Sequence, residues 1–288
     1  MIAVIGTGYW GSKIVDTLQH MDKDVELFDI EYDIDKIKSK NVIVATPAKT
    51  HFQITKALLQ KNKNVLVEKP AFMSMQECRA IEKVCKTKFM SGHILLSSEH
   101  FNYIIEHLNF FQHQIHHIEC RRLNWGRVQT DISPVTHLAP HDVAVLDIIL
   151  QKIPEQVDCK PYFINKKSQP DYVVADLTYE DTSVQLQFGW LYNEKIRNIK
   201  IFTDQGIFDW KDENNSTNYF ANGNVKNNET FSEYVSSLDR QLQVFIDYCE
   251  KDIEPLSNFE HTKRVTYIIE CMEESLSKGE VIKCLKKF

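Results

Sequence analysis

Residues 2–11 read IAVIGTGYWG. Ile2 to Ile5 form an apolar run suited to a strand buried on both faces, and Gly6, Gly8 and Gly11 follow at once in GxGxxG spacing. Ile14, Val15 and Leu18 then recur at helical spacing. Strand, glycine turn and helix in that order is the context this spacing needs before it carries meaning. The first glycine permits a tight turn, the second lets backbone approach a pyrophosphate, and the third lets helix pack closely on strand. The helix N-terminus adds unpaired N–H groups for anionic oxygens. Asp29 ends the next apolar run, 24–28 (DVELF), where an acid hydrogen-bonds the adenosine ribose 2′-OH. Glu31 adds a second acid, and no arginine follows to accommodate a 2′-phosphate, which favours NAD(H) over NADP(H). The competing reading is a glycine turn in an unrelated α/β protein, with Asp29 a solvated strand end.

Working outward, residues 41–45 (NVIVA), 64–67 (NVLV) and 88–91 (KFMS) read as further strands. Between them lie two helical patterns, each with an apparent capping box: Thr50 and Gln53 before Ile54, Ala57 and Leu58, and Ser74 and Glu77 before Cys78, Ile81 and Cys85. Strands alternating with helices at this spacing predict βαβ units and a parallel sheet. Beyond them, Val173, Ala175, Leu177 and Tyr179 alternate with polar positions, as do Val184, Leu186 and Phe188. Residues 199–203 and 207–210 read as strands around Gln205-Gly206. This pattern predicts a mainly antiparallel sheet with one solvated face. The polar, Asn-rich stretch 211–230 is expected to be a mobile loop. Two helices close the chain, with stripes Val235, Leu238, Leu242, Phe245, Cys249 and Val265, Ile268, Ile269, Met272, Leu276. The expected organisation is α/β: a Rossmann domain over 1–92, then a second α/β domain over 93–288 that includes both helices.

Composition narrows the classes. The chain has 288 residues, 43% apolar and 26% charged, with a net charge of −6. That length suggests two domains, and the composition excludes disordered and low-complexity classes. The acidic balance argues against a general nucleic-acid binder. No apolar run approaches the ~18 residues of a membrane span. Met1 opens directly into the first strand without a basic leader, and seven cysteines lie scattered with no CxxC pair. A cytoplasmic protein with reduced thiols is the expectation.

Two further segments can carry chemistry. Glu68-Lys69-Pro70 lies just past a predicted parallel strand, where open α/β sheets bind ligands. A lysine there is either a surface residue at a turn or a proton carrier whose pKa falls beside a cationic nicotinamide. His137 and His141 are four apart in THLAPHDVAVLD. Such a pair can hold zinc on one helix, but Pro140 argues against regular helix between them and no third ligand is evident, so no metal is expected. His113, His116 and His117 read as a surface or core cluster at a strand entry. Asn124, Arg127 and Asp131 either meet a sugar or diphosphate or are ordinary loop polars.

Taken in order, the glycine loop, Thr46-Pro47 with His51, the Glu68-Lys69-Pro70 tripeptide and the His141 segment resemble the glucose–fructose oxidoreductase / inositol dehydrogenase / MocA (Gfo/Idh/MocA) family nearly end to end. The resemblance implies that Gly6, Gly8, Tyr9, Trp10, Gly11, Asp29, Thr46, Pro47, His51, Glu68 and Lys69 hold NAD(H), with NADP(H) the alternative. It implies Lys69 and His141 as catalytic proton carriers, and Asn124, Arg127, Asp131 and His137 as substrate residues. It also implies a cis Lys69–Pro70 peptide and a homodimer or homotetramer. His137 departs from the family, many of whose members carry Asp there. With the Trp190, Lys195 and Arg197 segment, it is similar to members acting on UDP- or TDP-linked sugars. An oxidoreductase on a free sugar or inositol, or a cofactor-sensing regulator, are the alternatives.

Overall fold

The computed structural model describes residues 1–29, 33–126, 132–165, 169–231 and 235–285. The chain divides into two compact units, Met1–Ser98 with Tyr234–Tyr267, and Glu99–Glu233 with Ile268–Phe288.

The first unit opens with β1 (Ile2–Ile5), α1 (Tyr9–His20), β2 (Val25–Phe28), β3 (Asn41–Val44), α2 (Ala48–Gln60), β4 (Asn64–Glu68), α3 (Met75–Glu82) and β5 (Phe89–Gly92). All strands pair in parallel, in the order β2-β1-β3-β4-β5. The order reverses at β1, so the connections leaving β1 and β3 run to opposite faces of the sheet, and the crevice between them is where such sheets bind ligands. Two cap expectations are revised. Helix α2 starts at Ala48 behind Pro47, so Thr50 lies in its first turn, where its hydroxyl donates to the Pro47 carbonyl at 2.7 Å. Pro47 has no N–H and its fixed φ suits it to the boundary. Ser74 does cap α3, accepting from Glu77 N–H, but the Glu77 carboxylate accepts from Met73 N–H instead of closing the box. Cys85 lies past the helix end.

The second unit contains α4 (Glu99–Phe110), β6 (Ile115–Trp125), α5 (Pro134–Leu150), β7 (Gln156–Tyr162), β8 (Tyr172–Thr178), β9 (Ser183–Gly189), β10 (Leu191–Thr203), β11 (Ile207–Lys211), β12 (Ser216–Ala221) and β13 (Asn224–Thr230). After α6 (Ser237–Lys251) and α7 (Phe259–Lys278), β14 (Ile282–Lys283) completes its sheet, ordered β13-β12-β11-β10-β6-β9-β8-β7-β14. Pairing is antiparallel except for β6 with β9. Val173, Ala175, Leu177, Val184, Leu186 and Phe188 point into the core, as their alternation predicts. Helix α5 packs on β8 and β9.

Three expectations are overturned here. Residues 216–230 form a hairpin, not a mobile loop. Asn222 and Gly223 both have positive φ, 53° and 72°, as a two-residue type I′ turn requires, while Thr217 and Tyr219 turn inward. Helix α5 runs straight through Pro140. An interior proline costs about 3 kcal/mol, but Val135, Val143 and Leu146 are fully buried on the same helix, and each such side chain contributes about 1.5–3 kcal/mol. Ser133 and the Glu273 carboxylate both accept from Thr136 N–H, fixing the first turn. Finally, α6 joins the first unit: Leu238, Leu242, Phe245 and Ile246 share one cluster with Ile2, Val4, Ile14, Val15 and Leu18. Its amphipathic stripe is legible in sequence, but a stripe does not name its partner. Among the described residues no helix is long and apolar enough to cross a membrane.

Candidate active site

In the first unit, the turn after β1 is built by sterics. Gly6 has φ +95°, and a Cβ there would stand 2.7 Å from the Ala45 carbonyl oxygen. A Cβ on Gly11 would run into the Gly6 carbonyl, so α1 seats against the turn only with glycine at both places. Gly8 differs: a Cβ would meet nothing within 4 Å. It is also the N-cap of α1 and provides no side-chain cap. Open space therefore faces the N–H groups of a helix N-terminus, a ready anion site. Tyr9 is exposed beside it, with Lys13 Nζ 4.7 Å from its ring centroid. Trp10 packs against the core cluster. Asp29 stands at the end of β2, where its Oδ2 accepts from Thr7 Oγ1 at 2.8 Å. The turn and the acid are thus joined, leaving Oδ1 of Asp29 outside that bond. Glu31 lies outside the described residues.

The same sheet edge carries the remaining residues. His51 is buried, with Nδ1 2.8 Å from the Pro70 carbonyl and Nε2 2.7 Å from the Thr46 carbonyl. Counted above among the cofactor residues, it ties the loop after β3 to the loop after β4. Burial lowers its pKa, against the two carbonyls and with the help of the Lys69 charge. Thr46 Oγ1 lies 2.7 Å from Thr50 Oγ1 and donates to it, because the Thr50 proton goes to the Pro47 carbonyl, and Pro47 is exposed at the head of α2. Glu68 is buried under the edge. A Cβ on Gly92 would meet its Oε1 at 2.6 Å, and Gln241 Nε2 on α6 donates to that oxygen at 3.3 Å. Burial raises the Glu68 pKa, while the Trp10 indole and the Lys69 charge pull it down. Lys69 is half-buried and its peptide to Pro70 is cis. Because Glu68 pairs with Gly92, Lys69 and His93 extend from adjacent strand ends. His93 is 3% exposed, its ring 5.3 Å from that of His261, and burial holds its pKa well below the usual range. Sequence reading missed His93, His261 and Gln241. Gly92 was a signal for the space Glu68 fills; nothing in the sequence pointed to Gln241.

In the second unit, β6 and α5 carry the candidates. Asn124 is half-buried near the end of β6. His137 and His141 lie one turn apart on α5, both half-buried. Trp190 Nε1 donates to His137 Nδ1 at 3.3 Å. Next to His141, Asp142 is fully buried and takes a forked pair of bonds from Arg122 on β6, Nε and Nη2 at 2.8–3.0 Å. That pair locks the helix carrying both histidines to the strand carrying Asn124. Arg127 and Asp131 lie outside the described residues. No group of three or more His, Cys, Asp or Glu side chains suited to a metal ion stands together among the described residues.

Residues 29–91 match the model of the Gfo/Idh/MocA oxidoreductase family, NAD-binding Rossmann fold. Over that stretch of the first unit the chain is similar to this family. An "Uncharacterized oxidoreductase" of Streptococcus pneumoniae serotype 4 is 32% identical over 115 residues, 32% of this chain and 31% of its own. The match thus spans about a third of that relative's length. Among solved structures, UDP-N-acetylglucosamine 3-dehydrogenase GnnA from Acidithiobacillus ferrooxidans aligns with a TM-score of 0.86 at 18% identity, covering 95% of this chain and 96% of its own. Biliverdin reductase of Synechocystis, in complex with biliverdin and NADP+, aligns with a TM-score of 0.79 at 12% identity, covering 95% and 98%. At these identities the likeness is one of fold. The match to an NAD-binding Rossmann model implies a dinucleotide, and the residues present fit one: the open space over Gly8, the uncapped start of α1 and the Asp29 carboxylate are arranged along one edge.

Proposed function

We propose that this chain is a Gfo/Idh/MocA-type, cytoplasmic NAD(H)-dependent oxidoreductase that interconverts a hydroxyl and a ketone on a nucleotide-linked sugar. The observation that carries the reading is the glycine turn at the uncapped N-terminus of α1, with Lys69 on the same sheet edge. Gly6, Gly8 and Gly11 with Tyr9 and Trp10 hold the pyrophosphate side, Asp29 accepts from the adenosine ribose, and Thr46, Pro47 and Glu68 line the path to Lys69, with His51 fixing both loops. When bound, the dinucleotide accepts or supplies the hydride. Lys69 Nζ takes the proton of the hydroxyl being oxidised, or returns it in the reverse direction, and His141 orients that oxygen and shares the proton. Asn124, Arg127, Asp131 and His137 contact the sugar or its diphosphate, for which an arginine fork is suited. Seven free cysteines accord with a reducing compartment. The likeness to a UDP-sugar dehydrogenase supports the substrate class. A homodimer or homotetramer belongs to the same reading.

The test is a panel of UDP- and TDP-sugars, free sugars and inositols, read by nicotinamide absorbance with NAD+ and NADP+. Turnover of a nucleotide sugar with NAD+ is expected. Turnover confined to free sugars or inositol would move the substrate class. Cofactor binding without turnover of any panel member would favour a sensor.

A further inference from the structure

Trp190 follows β9 and is 1% exposed. Its backbone is pinned on both sides: its N–H donates to the Asp171 carbonyl at 3.1 Å, and its carbonyl accepts from Gly126 N–H at 2.9 Å. The indole Nε1 reaches His137 Nδ1 at 3.3 Å, with the ring centroids 5.9 Å apart and the planes tilted by 50°. An indole nitrogen only donates. Nδ1 must therefore offer its lone pair, and the proton of the neutral ring must sit on Nε2.

We propose that Trp190 is a positioning residue that holds His137 as its Nε2–H tautomer, so that His137 serves the site as a hydrogen-bond donor to a substrate oxygen and not as a further proton acceptor. The donor role rests on the reading of His137 as a substrate residue; the tautomer does not. A proton added at Nδ1 would set two N–H groups against each other, with the indole too buried and too firmly anchored to swing away. An oxygen meeting His137 at Nε2 thus meets a donor. A histidine and an aspartate at this position are then not equivalent: a carboxylate only accepts when ionised, whereas this imidazole gives a hydrogen bond. Proton transfer is left to Lys69 and His141, and His137 discriminates among substrates by requiring an acceptor.

The first experiment uses the full-length protein, 15N-labelled, with imidazole correlation spectra and His137 assigned by loss of its signals in His137→Gln. The expected result is a protonated Nε2 and a scalar coupling between Trp190 Nε1 and His137 Nδ1 across the hydrogen bond. A protonated Nδ1, or no coupling in the unmodified protein, overturns the proposal whatever the substrate proves to be, and this readout needs no Trp190 variant to fold. The second experiment is kinetic. Loss of kcat/KM in His137→Leu is expected to exceed that in His137→Gln by roughly tenfold, because the glutamine amide keeps a donor. Equal losses overturn the donor role. A failed substrate search leaves the spectroscopic result standing, so the two readings fail separately.

Discussion

Lys69 is the residue on which the proposed chemistry turns. It emerges from β4 beside His93, above the buried Glu68, with His51 fixing its loop through the Pro70 carbonyl. Lys69→Ala is expected to lower turnover about 100- to 10,000-fold, the range for a general acid–base group, with NAD binding by calorimetry little changed. Full activity in that variant would remove the catalytic role and shift the weight to a sensor. His141→Ala should also cut turnover, and His137→Ala less so. Asp29 makes a different prediction. It accepts from Thr7 and is the proposed acceptor for the adenosine ribose, so Asp29→Ala should narrow the preference for NADH over NADPH in fluorescence titrations; tighter NADPH binding by the unmodified protein would sink the NAD(H) assignment. Much of this was readable in the sequence, because glycine sterics and an acid at a strand end are local. His93 and Gln241 were not. They reach the site by strand register and by a helix about 170 residues away in the chain, and neither leaves a local pattern.

At the level of elements, the parallel strands were legible because β1, β3, β4 and β5 are short runs buried on both faces, with the edge strand β2 an apolar run only partly covered. The hairpin β12–β13 was not, although Asn222-Gly223 announced its turn. Its edge strand is polar and mostly exposed, so composition suggested a loop. Proline misled in the other direction at α5, where burial of the surrounding apolar residues outweighs a lost hydrogen bond. Helix α6 carries the sharpest element-scale expectation. Phe245 is fully buried in the cluster with Ile14 and Leu18. Phe245→Ala should destabilise the first unit by about 3–5 kcal/mol, read as an earlier urea transition in hydrogen exchange of β1 and α1 amides. Unchanged protection there, with loss confined to the second unit, would contradict the packing described.

Across the whole molecule, buried histidines tie stability to pH. His51 and His93 have folded-state pKa values lowered by burial, from an unfolded value of about 6.5. Above that value both states are neutral and nothing is lost. As pH falls through it, the unfolded chain takes up protons that the native state refuses, so stability drops until the folded-state value is reached. A fully suppressed histidine costs about 1.4 kcal/mol between pH 7.5 and 5.5. Glu68, raised by burial, works with the opposite sign from the ordinary carboxylate range upward. Comparing the protein with His93→Gln cancels that contribution. The fall in urea midpoint between the two pH values should be smaller in the variant, and an equal fall would mean that His93 titrates alike folded and unfolded.

The packing of α6 also bears on how the chain is made. Residues 1–98 emerge from the ribosome before residues 234–267 and contain every strand of the parallel sheet. Yet the apolar side chains of Ile2, Ile14 and Leu18 wait for Leu238, Leu242 and Phe245, which arrive after the entire second sheet except its last strand. The first unit is therefore begun before the second sheet is made and cannot be finished until α6 has followed it. A nascent chain stalled between the two stretches would present a half-covered core to chaperones and proteases, and an early stop after the parallel sheet would yield no free-standing cofactor binder.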